Sequence, residues 1–381
     1  MREIYLDNSS TTKPCPEAVE KTAEALTACW GNPSSLHTLG FAAEKLLAHA
    51  RSAVARSLGC RPAEIYFTSG GTEANNIALL GAAHSRARRG KRIVTTAMEH
   101  PSVLNTMKAL EKEGFEVVYL QPDHAGCIRE GQVREAVTAQ TILVSMMAVN
   151  NEVGTILPVD AAAGAIAAVQ APALLHVDAV QAYGRLPLNP ARQGIDLMTV
   201  SAHKIHGPKG AGALYIAGGA RLAAPFYGGG QERDIRPGTE PVPAIAGMGA
   251  AVEALPPLEE AHRHATLLRD RLAALLEPMP EAVVHTPQAA DAAAPYILNL
   301  SARGVRAETM LHFLAERGIY VSSGSACAKG RQSHVLTAMG LEKREIESAL
   351  RVSFSRNNTV DDVELFARAL REGLDTLAHS R

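Results

Sequence analysis

The sequence predicts an α/β protein with a large domain built on a mostly parallel sheet and a smaller α+β domain. Short apolar strands alternate with amphipathic helices between residues 15 and 250, and several of these strands are apolar throughout. Such strands are typical of parallel sheets that helices cover on both faces. Beyond the prolines at 237, 241 and 243 the pattern changes. We therefore expect residues 15–250 to form the large domain, and residues 1–14 and 251–381 the small one.

The spacing of apolar residues predicts the individual elements. Helices are expected over residues 17–28, 39–58, 244–276, 306–317, 332–339 and 360–378. Strands are expected over residues 65–68, 92–96, 115–120, 142–148, 174–178, 197–201 and 213–216, and in the small domain over 297–301, 319–322 and 350–355. Polar residues gather where these strands end, which is where α/β sheets bind their ligands.

Composition narrows the class of protein. Of the 381 residues 46% are hydrophobic and 20% are charged, and the formal net charge is -1. This balance lacks the basic surface of a nucleic-acid-binding protein, so we expect no direct nucleic-acid contact. No apolar run approaches the ~20 residues that span a bilayer, and the first residues lack a signal-peptide pattern. The five scattered cysteines favour reduced thiols, and so a cytoplasmic protein, over a disulfide framework.

The most informative segment ends an apolar strand with Ser201-Ala-His-Lys204. A lysine at the end of a buried strand is costly as a cation, so its pKa should fall and its amine could form a Schiff base with an aldehyde cofactor. Another apolar strand ends at Asp178. A carboxylate there could keep the ring nitrogen of pyridoxal phosphate (PLP) protonated. The pair therefore predicts PLP chemistry.

Three further segments follow strands and carry weaker signals. The glycines and Thr72 of Ser69-Gly-Gly-Thr72 suit a phosphate at a helix start, although a simple turn with a helix cap explains them equally well. His100 could stack on an aromatic ring and move protons, or merely cap a helix. Asn151 could donate to a carboxylate, or only form a turn. Gln181, three residues after Asp178, could reach the same ligand.

The predicted small domain holds two more candidates. Cys327 lies in a segment rich in glycine and serine, which could bring a thiol to a substrate, whereas a buried structural cysteine is the alternative. Arg351 lies in a predicted strand, where its guanidinium could bind a carboxylate, unless it is an exposed arginine of an edge strand. Together these groups indicate a site much more specifically than any one of them alone.

Motifs over nearly the whole chain resemble those of the cysteine desulfurases, which belong to the fold-type I, class V aminotransferases. They occupy residues 5–12, 32–37, 69–76, 150–154, 203–204, 229–232, 236–239 and 322–327. The last motif, Ser322-Ser-Gly-Ser-Ala-Cys327, is similar to the branch that serves nitrogen fixation and iron–sulfur assembly. The resemblance implies the fold-type I architecture, with a seven-stranded, mostly parallel sheet, and a homodimer that uses PLP.

The resemblance also implies a role for each candidate residue. Lys204 would bond to PLP, Asp178 would pair with the ring nitrogen, His100 would stack on the ring and Gln181 would touch its oxygen. The cofactor phosphate would be held by Gly71, Thr72, Ser201 and His203, and by Thr239 of the other subunit. Asn151 and Arg351 would bind the carboxylate of L-cysteine. Cys327 would take the sulfur as a persulfide, release alanine and pass the sulfur to an acceptor protein.

Two questions stay open at this stage. The segment from Cys327 to Ser333 is shorter than we expect in housekeeping members, which limits how far Cys327 can travel and suggests a different sulfur acceptor or activation step. The overall sequence resembles the desulfurases of bacterial DNA phosphorothioation systems, which implies that pathway as the destination of the sulfur, with iron–sulfur clusters or tRNA thiolation as the alternatives. The alternatives within the fold are a selenocysteine lyase, or another class V lyase or aminotransferase, and an aminotransferase has no need of Cys327. A sulfur-relay scaffold without cofactor would be expected to lack Lys204 or Asp178, and both are present.

Overall fold

The strands and helices are described for residues 2–289, 291–323 and 332–377, in a computed structural model. The strands are β1 (Ile4–Tyr5), β2 (Ile65–Thr68), β3 (Arg92–Thr96), β4 (Glu116–Leu120), β5 (Thr141–Met147), β6 (Leu174–Asp178), β7 (Leu197–Ser201), β8 (Gly212–Ile216), β9 (Ala282–Val284), β10 (Ile297–Ala302), β11 (Ile319–Tyr320), β12 (Ser322–Ser323) and β13 (Ala349–Ser353). The α-helices are α1 (Pro16–Thr27), α2 (Thr38–Leu58), α3 (Gly71–Arg86), α4 (Pro101–Lys112), α5 (Glu130–Ala136), α6 (Val159–Ala168), α7 (Val242–Glu253), α8 (Leu258–Leu276), α9 (Ala307–Ala315), α10 (His334–Ala338), α11 (Lys343–Glu347) and α12 (Val360–Thr376).

Seven strands form the central sheet, in the order β2-β8-β7-β6-β5-β3-β4. Strands β3 to β7 run parallel to one another, whereas β8 runs antiparallel to both β2 and β7. Every residue of β5, β6, β7 and β8 is buried, which is why these strands are apolar without alternation. The predicted α/β class and the predicted mostly parallel seven-stranded sheet are confirmed.

Helices cover both faces of this sheet. One apolar cluster contains Ile77 of α3 and Met107 of α4, and a second contains Val54 of α2 and Ala162 of α6. Because helices bury both faces of the sheet, ligands bind where its strands end. The candidate residues lie at the carboxyl ends of the parallel strands, which we call the carboxyl edge of the sheet. In the part of the chain that the structure describes, no helix combines the length and apolar content needed to cross a bilayer.

A second, four-stranded antiparallel sheet has the order β12-β13-β10-β9. Strand β1 pairs with β11 in parallel, and a bridge joins Asp7 to Ser353 at the end of β13. The first residues of the chain therefore lie beside its C-terminal third. The proposed boundaries of the two domains, 15–250 against 1–14 and 251–381, stay a prediction.

Two predicted elements are wrong. The helix expected over residues 244–276 is two helices, α7 and α8, because Pro256 and Pro257 lie between them. Proline has no amide hydrogen to donate within a helix and disfavours the helical conformation in the residue before it. The strand expected over residues 319–322 is β11 and β12, since the chain leaves β1 after Tyr320 and pairs with β13 from Ser322.

Candidate active site

Lys204 lies at the carboxyl edge of the central sheet. Strand β7 ends at Ser201, and a 3-10 turn over Ala202–Lys204 carries the lysine out of the sheet. Its Nζ donates to the carbonyl oxygens of Ser9 and Ser10, the latter at 2.8 Å. Burial lowers the pKa of Lys204 to about 7, and the cations of nearby arginines act in the same direction. A substantial fraction of this amine is therefore uncharged at neutral pH, the form that reacts with aldehydes.

Asp178 ends the neighbouring strand β6 and pairs in register with Thr199 of β7. Its side chain is buried, and both of its oxygens accept hydrogen bonds. The backbone N–H of Val180 donates to Oδ1 at 3.0 Å, and Nδ2 of Asn75 donates to Oδ2 at 2.7 Å. These donors hold the carboxylate in a fixed orientation at the sheet edge that also carries Lys204.

The turn between β2 and α3 forms a cradle of backbone amides. Gly70 has a φ of +152°, a conformation that side chains disfavour. A Cβ atom on Gly71 would lie 2.9 Å from Cγ2 of Val180. The backbone at this position can therefore pack so closely against Val180 only because residue 71 has no side chain. Behind it, the buried Oγ of Ser201 has no hydrogen-bond partner among the described residues. An unpaired hydroxyl beside the free amides of a helix start fits a phosphate, and Thr72 lies exposed at the same turn.

His100 and Gln181 lie on two loops at the same edge. His100 caps α4, and its Nδ1 accepts the backbone N–H of Ser102 at 3.2 Å. Its side chain remains accessible from a cleft that Thr72 also lines. The surrounding protein atoms still lower the pKa of its imidazole by desolvation. Gln181 donates from Nε2 to the carbonyl oxygen of Ser9 at 3.0 Å, and its buried Oε1 has no partner in the described part of the chain.

His203 contacts the N-terminal segment. Its Nδ1 lies 3.2 Å from Oγ1 of Thr11, and Thr12 donates its N–H to the carbonyl oxygen of His203 at 2.9 Å. Burial lowers the pKa of His203 to about 4, so the ring is neutral at physiological pH. Any contribution to phosphate binding would therefore be a hydrogen bond rather than a charge.

Arg351 is buried on β13, with 2% of its surface exposed, and it is not the exposed edge arginine that the sequence left as an alternative. Its Nη2 donates to Oδ1 of Asp7 at 2.7 Å and to Oγ of Ser10 at 2.6 Å. Its Nη1 donates to the backbone oxygen of Asn151 at 2.9 Å. A carboxylate ligand would have to share or replace the Asp7 contact. Asn151 thus meets Arg351 through its main chain.

Two of the expected residues are not placed in this group. Thr239 is exposed on the segment that follows the 3-10 turn Gln231–Asp234. Cys327 lies outside the described residues, so its position relative to Lys204 stays a prediction.

Several residues of the site were not singled out from the sequence. Asp7 and Ser10 hold Arg351, Asn75 holds Asp178, and Glu152 accepts a hydrogen bond from Ser333. Asp7 and Ser10 belong to the motif 5–12, Asn75 to 69–76 and Glu152 to 150–154. Their position within motifs that resemble the family was the one indication in the sequence that they belong to the site. Their individual roles depend on contacts between distant segments, which residue type alone does not indicate.

Comparison with known proteins shows the family and the fold of this chain. The model of the aminotransferase class-V family matches residues 4–366. A cysteine desulfurase IscS of Methanosarcina thermophila is 41% identical over 369 residues, which cover 95% of this chain and 90% of that protein. A solved NifS-like protein superposes with a TM-score of 0.92 at 37% identity, covering 99% of this chain and 100% of that one. DndA from Streptomyces lividans has a TM-score of 0.77 at 38% identity, covering 92% and 99%.

The family model covers more than nine-tenths of the chain, and the similarity to the relative extends equally far. Apart from Thr239, the residues that the resemblance assigned to the cofactor lie where this fold places its ligands, at the carboxyl ends of the parallel strands. The chain belongs to the aminotransferase class-V family.

Proposed function

We propose that this protein is a cysteine desulfurase, which converts L-cysteine to L-alanine and transfers the sulfur to Cys327 as a persulfide. The observation that carries the proposal is that a partly neutral amine and a fixed carboxylate lie close together. Asp178 ends strand β6, and Lys204 follows the end of the adjacent parallel strand β7. The curated relative that is 41% identical carries the name cysteine desulfurase.

Enzymes of this family use PLP, which supplies an electron-withdrawing ring that stabilises negative charge at the substrate α-carbon. The residues present fit this group, because the unpaired Oγ of Ser201 and the amides at Gly71 suit its phosphate. The residues that we assign to the cofactor are Lys204, Asp178, His100, Gln181, Gly71, Thr72, Ser201 and His203, with Thr239 from the second subunit. Lys204 would supply the covalent bond, and Asp178 would hold a proton on the ring nitrogen.

Substrate binding is assigned to Arg351 and Asn151. The buried guanidinium would pair with the α-carboxylate of cysteine, and burial makes such a charged pair strong because little water competes. Near neutral pH the partly uncharged Lys204 could accept the proton that leaves the substrate α-carbon. The orientation of the substrate would then depend on Asp7 giving up part of its contact with Arg351.

Sulfur transfer is assigned to Cys327. Its thiolate would attack the substrate sulfur, forming an S–S bond while the C–S bond breaks. The electron pair of the C–S bond stays with the carbon, which takes up a proton to become the methyl group of alanine. Burial raises the pKa of the Cys60 thiol to about 12 and also raises the pKa of Cys127, which keeps both thiols protonated and unreactive.

We also infer a homodimer and a sulfur-acceptor protein. Leu36 and Tyr227 are 91% and 97% exposed, which suits a surface that a second copy covers. The segments that bear them are neighbours, since Ser34 and Gly230 line one cavity. The acceptor pathway stays a prediction from the sequence, which resembles the desulfurases of DNA phosphorothioation, with iron–sulfur clusters or tRNA thiolation as the alternatives. A cytoplasmic location is likewise a prediction from the sequence.

The test is the Cys327→Ser variant, with Cys60→Ser as the matched control. We expect Cys327→Ser to keep the visible absorbance of bound PLP and to lose sulfide release from cysteine with a reductant present. Cys60→Ser should keep both properties. Full turnover by Cys327→Ser would contradict the role of this thiol, and absence of alanine from the wild type would contradict the reaction itself.

A further inference from the structure

A chain of hydrogen bonds joins His100 to Asp178. Nδ1 of His100 lies 2.8 Å from Oγ of Ser102, and that oxygen lies 2.9 Å from Nδ2 of Asn75. The same Nδ2 donates to Oδ2 of Asp178 at 2.7 Å. Asn75, Ser102 and Asp178 are all buried, so little water competes for these bonds. The chain therefore connects two groups that the proposed function places against the cofactor ring.

The direction of each donor follows from the Asp178 end. A carboxylate only accepts hydrogen bonds, so Asn75 must turn its NH₂ group towards Asp178. The second hydrogen of that NH₂ group points to Oγ of Ser102. Oγ of Ser102 thereby accepts a hydrogen bond from Asn75, and its own hydrogen can point towards Nδ1 of His100, 2.8 Å away.

Two donors then meet at one ring nitrogen. The backbone N–H of Ser102 also points to Nδ1 of His100, at 3.2 Å, and a backbone amide can only donate. A nitrogen that accepts hydrogen bonds carries no proton of its own. Neutral His100 must therefore carry its hydrogen on Nε2.

We propose that Asn75 and Ser102 are positioning residues that hold His100 as the neutral tautomer protonated on Nε2 and connect it to Asp178. This inference rests on the proposed function only in taking His100 and Asp178 as the groups that face the ring. Held in this way, His100 stacks as an uncharged ring and offers Nε2–H as a hydrogen-bond donor. It can take up a proton only at Nδ1, by giving up the bonds from Ser102.

The electrostatic surroundings agree with this geometry. Desolvation is the main cause that lowers the pKa of His100, and Lys204 and His334 lower it further, while Asp178 raises it. Helix capping alone would explain the bond from the backbone of Ser102, but it would require neither the Ser102 hydroxyl nor Asn75. The side chains of Ser102 and Asn75 therefore distinguish a positioning role from simple capping.

The experiment is ¹⁵N NMR of the holoenzyme with labelled histidine, in which the His100→Gln variant identifies the His100 signals. Near neutral pH we expect the proton on Nε2 and none on Nδ1. Ser102→Ala should raise the pKa of His100 by about one unit, the effect of losing one hydrogen bond to the neutral ring. Ser102→Thr should restore the wild-type value, because the hydroxyl is retained. Asn75→Ala should raise the pKa by less, since the Ser102 hydroxyl is retained and can still donate to Nδ1.

The matched control is Asn105→Ala, an exposed residue of the same helix that lines the same cleft, and it should leave the His100 titration unchanged. A proton on Nδ1 in the wild type would overturn the proposal, and this measurement does not depend on the folding of any Ser102 or Asn75 variant. An unchanged pKa in a folded Ser102→Ala variant would also overturn it. The measurement needs no turnover. A chain that binds no PLP would contradict the proposed function, while the cofactor-free protein would still report the tautomer.

Discussion

The Lys204 amine is only partly exposed and lies against the carbonyl oxygens of Ser9 and Ser10. Burial there lowers its pKa from 10.5 to about 7. Folding therefore makes this amine less basic, because the surrounding protein solvates its cation less well than water does. The same effect that costs stability makes the amine reactive near neutral pH.

This cost predicts how stability depends on pH. Between pH 7 and 10.5 the unfolded chain holds a proton on residue 204 that the folded chain has lost, so the free energy of unfolding rises with pH across this window. We expect the free energy of unfolding of the cofactor-free wild type, measured in urea, to rise more between pH 7 and 10.5 than that of Lys204→Met. The difference should be on the order of 1–2 kcal/mol, after allowance for the partial exposure of the amine. Equal gains in the two proteins would contradict the lowered pKa.

Residue type and position predicted part of the site. Lys204 and Asp178 could be singled out because each ends an apolar strand, where a charged group is costly and therefore informative. Asn75 could not, because its contact with Asp178 joins residues 103 positions apart. The pairing of Arg351 with Asp7 likewise joins the two ends of the chain, and it appears only once the sheets are assembled.

At the scale of elements, helix α10 is tied to two loops of the site. Oγ of Ser333 donates to the buried Oε2 of Glu152 and accepts the N–H of Leu336 at 3.1 Å, which caps the helix. Nε2 of His334 donates to the carbonyl oxygen of Glu99 at 2.9 Å. Ser333 stands six residues after Cys327 in the sequence. These bonds therefore fix where the chain leaves the segment that carries Cys327.

Ser333→Ala should weaken that connection. We expect a loss of about 1 kcal/mol in the free energy of unfolding, the usual effect of removing a helix cap. Persulfide formation on Cys327 should slow while the absorbance of bound PLP stays unchanged, because the cofactor residues are untouched. Ser333→Thr, which keeps an oxygen in the capping position, serves as the control. Equal persulfide rates in Ser333→Ala and the wild type would show that the connection does not position the thiol.

The elements themselves were predictable where burial imposed a pattern. Strands β5, β6 and β7 are buried along their whole length and were found as apolar runs. The two-residue strands β1 and β12 are too short to show a period, and they exist because partners elsewhere in the chain pair with them. The break between α7 and α8 could have been found from its two prolines.

At the scale of the whole molecule, the exposed apolar residues Leu36 and Tyr227 predict a dimer. Leu36→Asp should lower the apparent mass in sedimentation velocity from that of two chains to that of one, because burying an unpaired charge is costly. If Thr239 of one subunit binds the cofactor phosphate of the other, the Leu36→Asp variant should also retain less PLP than the wild type. Leu267→Asp, which changes a leucine that is 56% exposed on α8, should leave the mass unchanged. A wild type that sediments as a single chain would contradict the dimer.

The central claim is that Lys204 holds the cofactor covalently, and mass spectrometry after borohydride reduction tests it most directly. The protein would be loaded with PLP, reduced and digested, and the peptides that contain lysine would be compared with those of Lys204→Ala. We predict one phosphopyridoxyl group on Lys204 and none on the nearby Lys209, with no modified peptide from the variant. An unmodified Lys204, or the group on another lysine, would contradict the account.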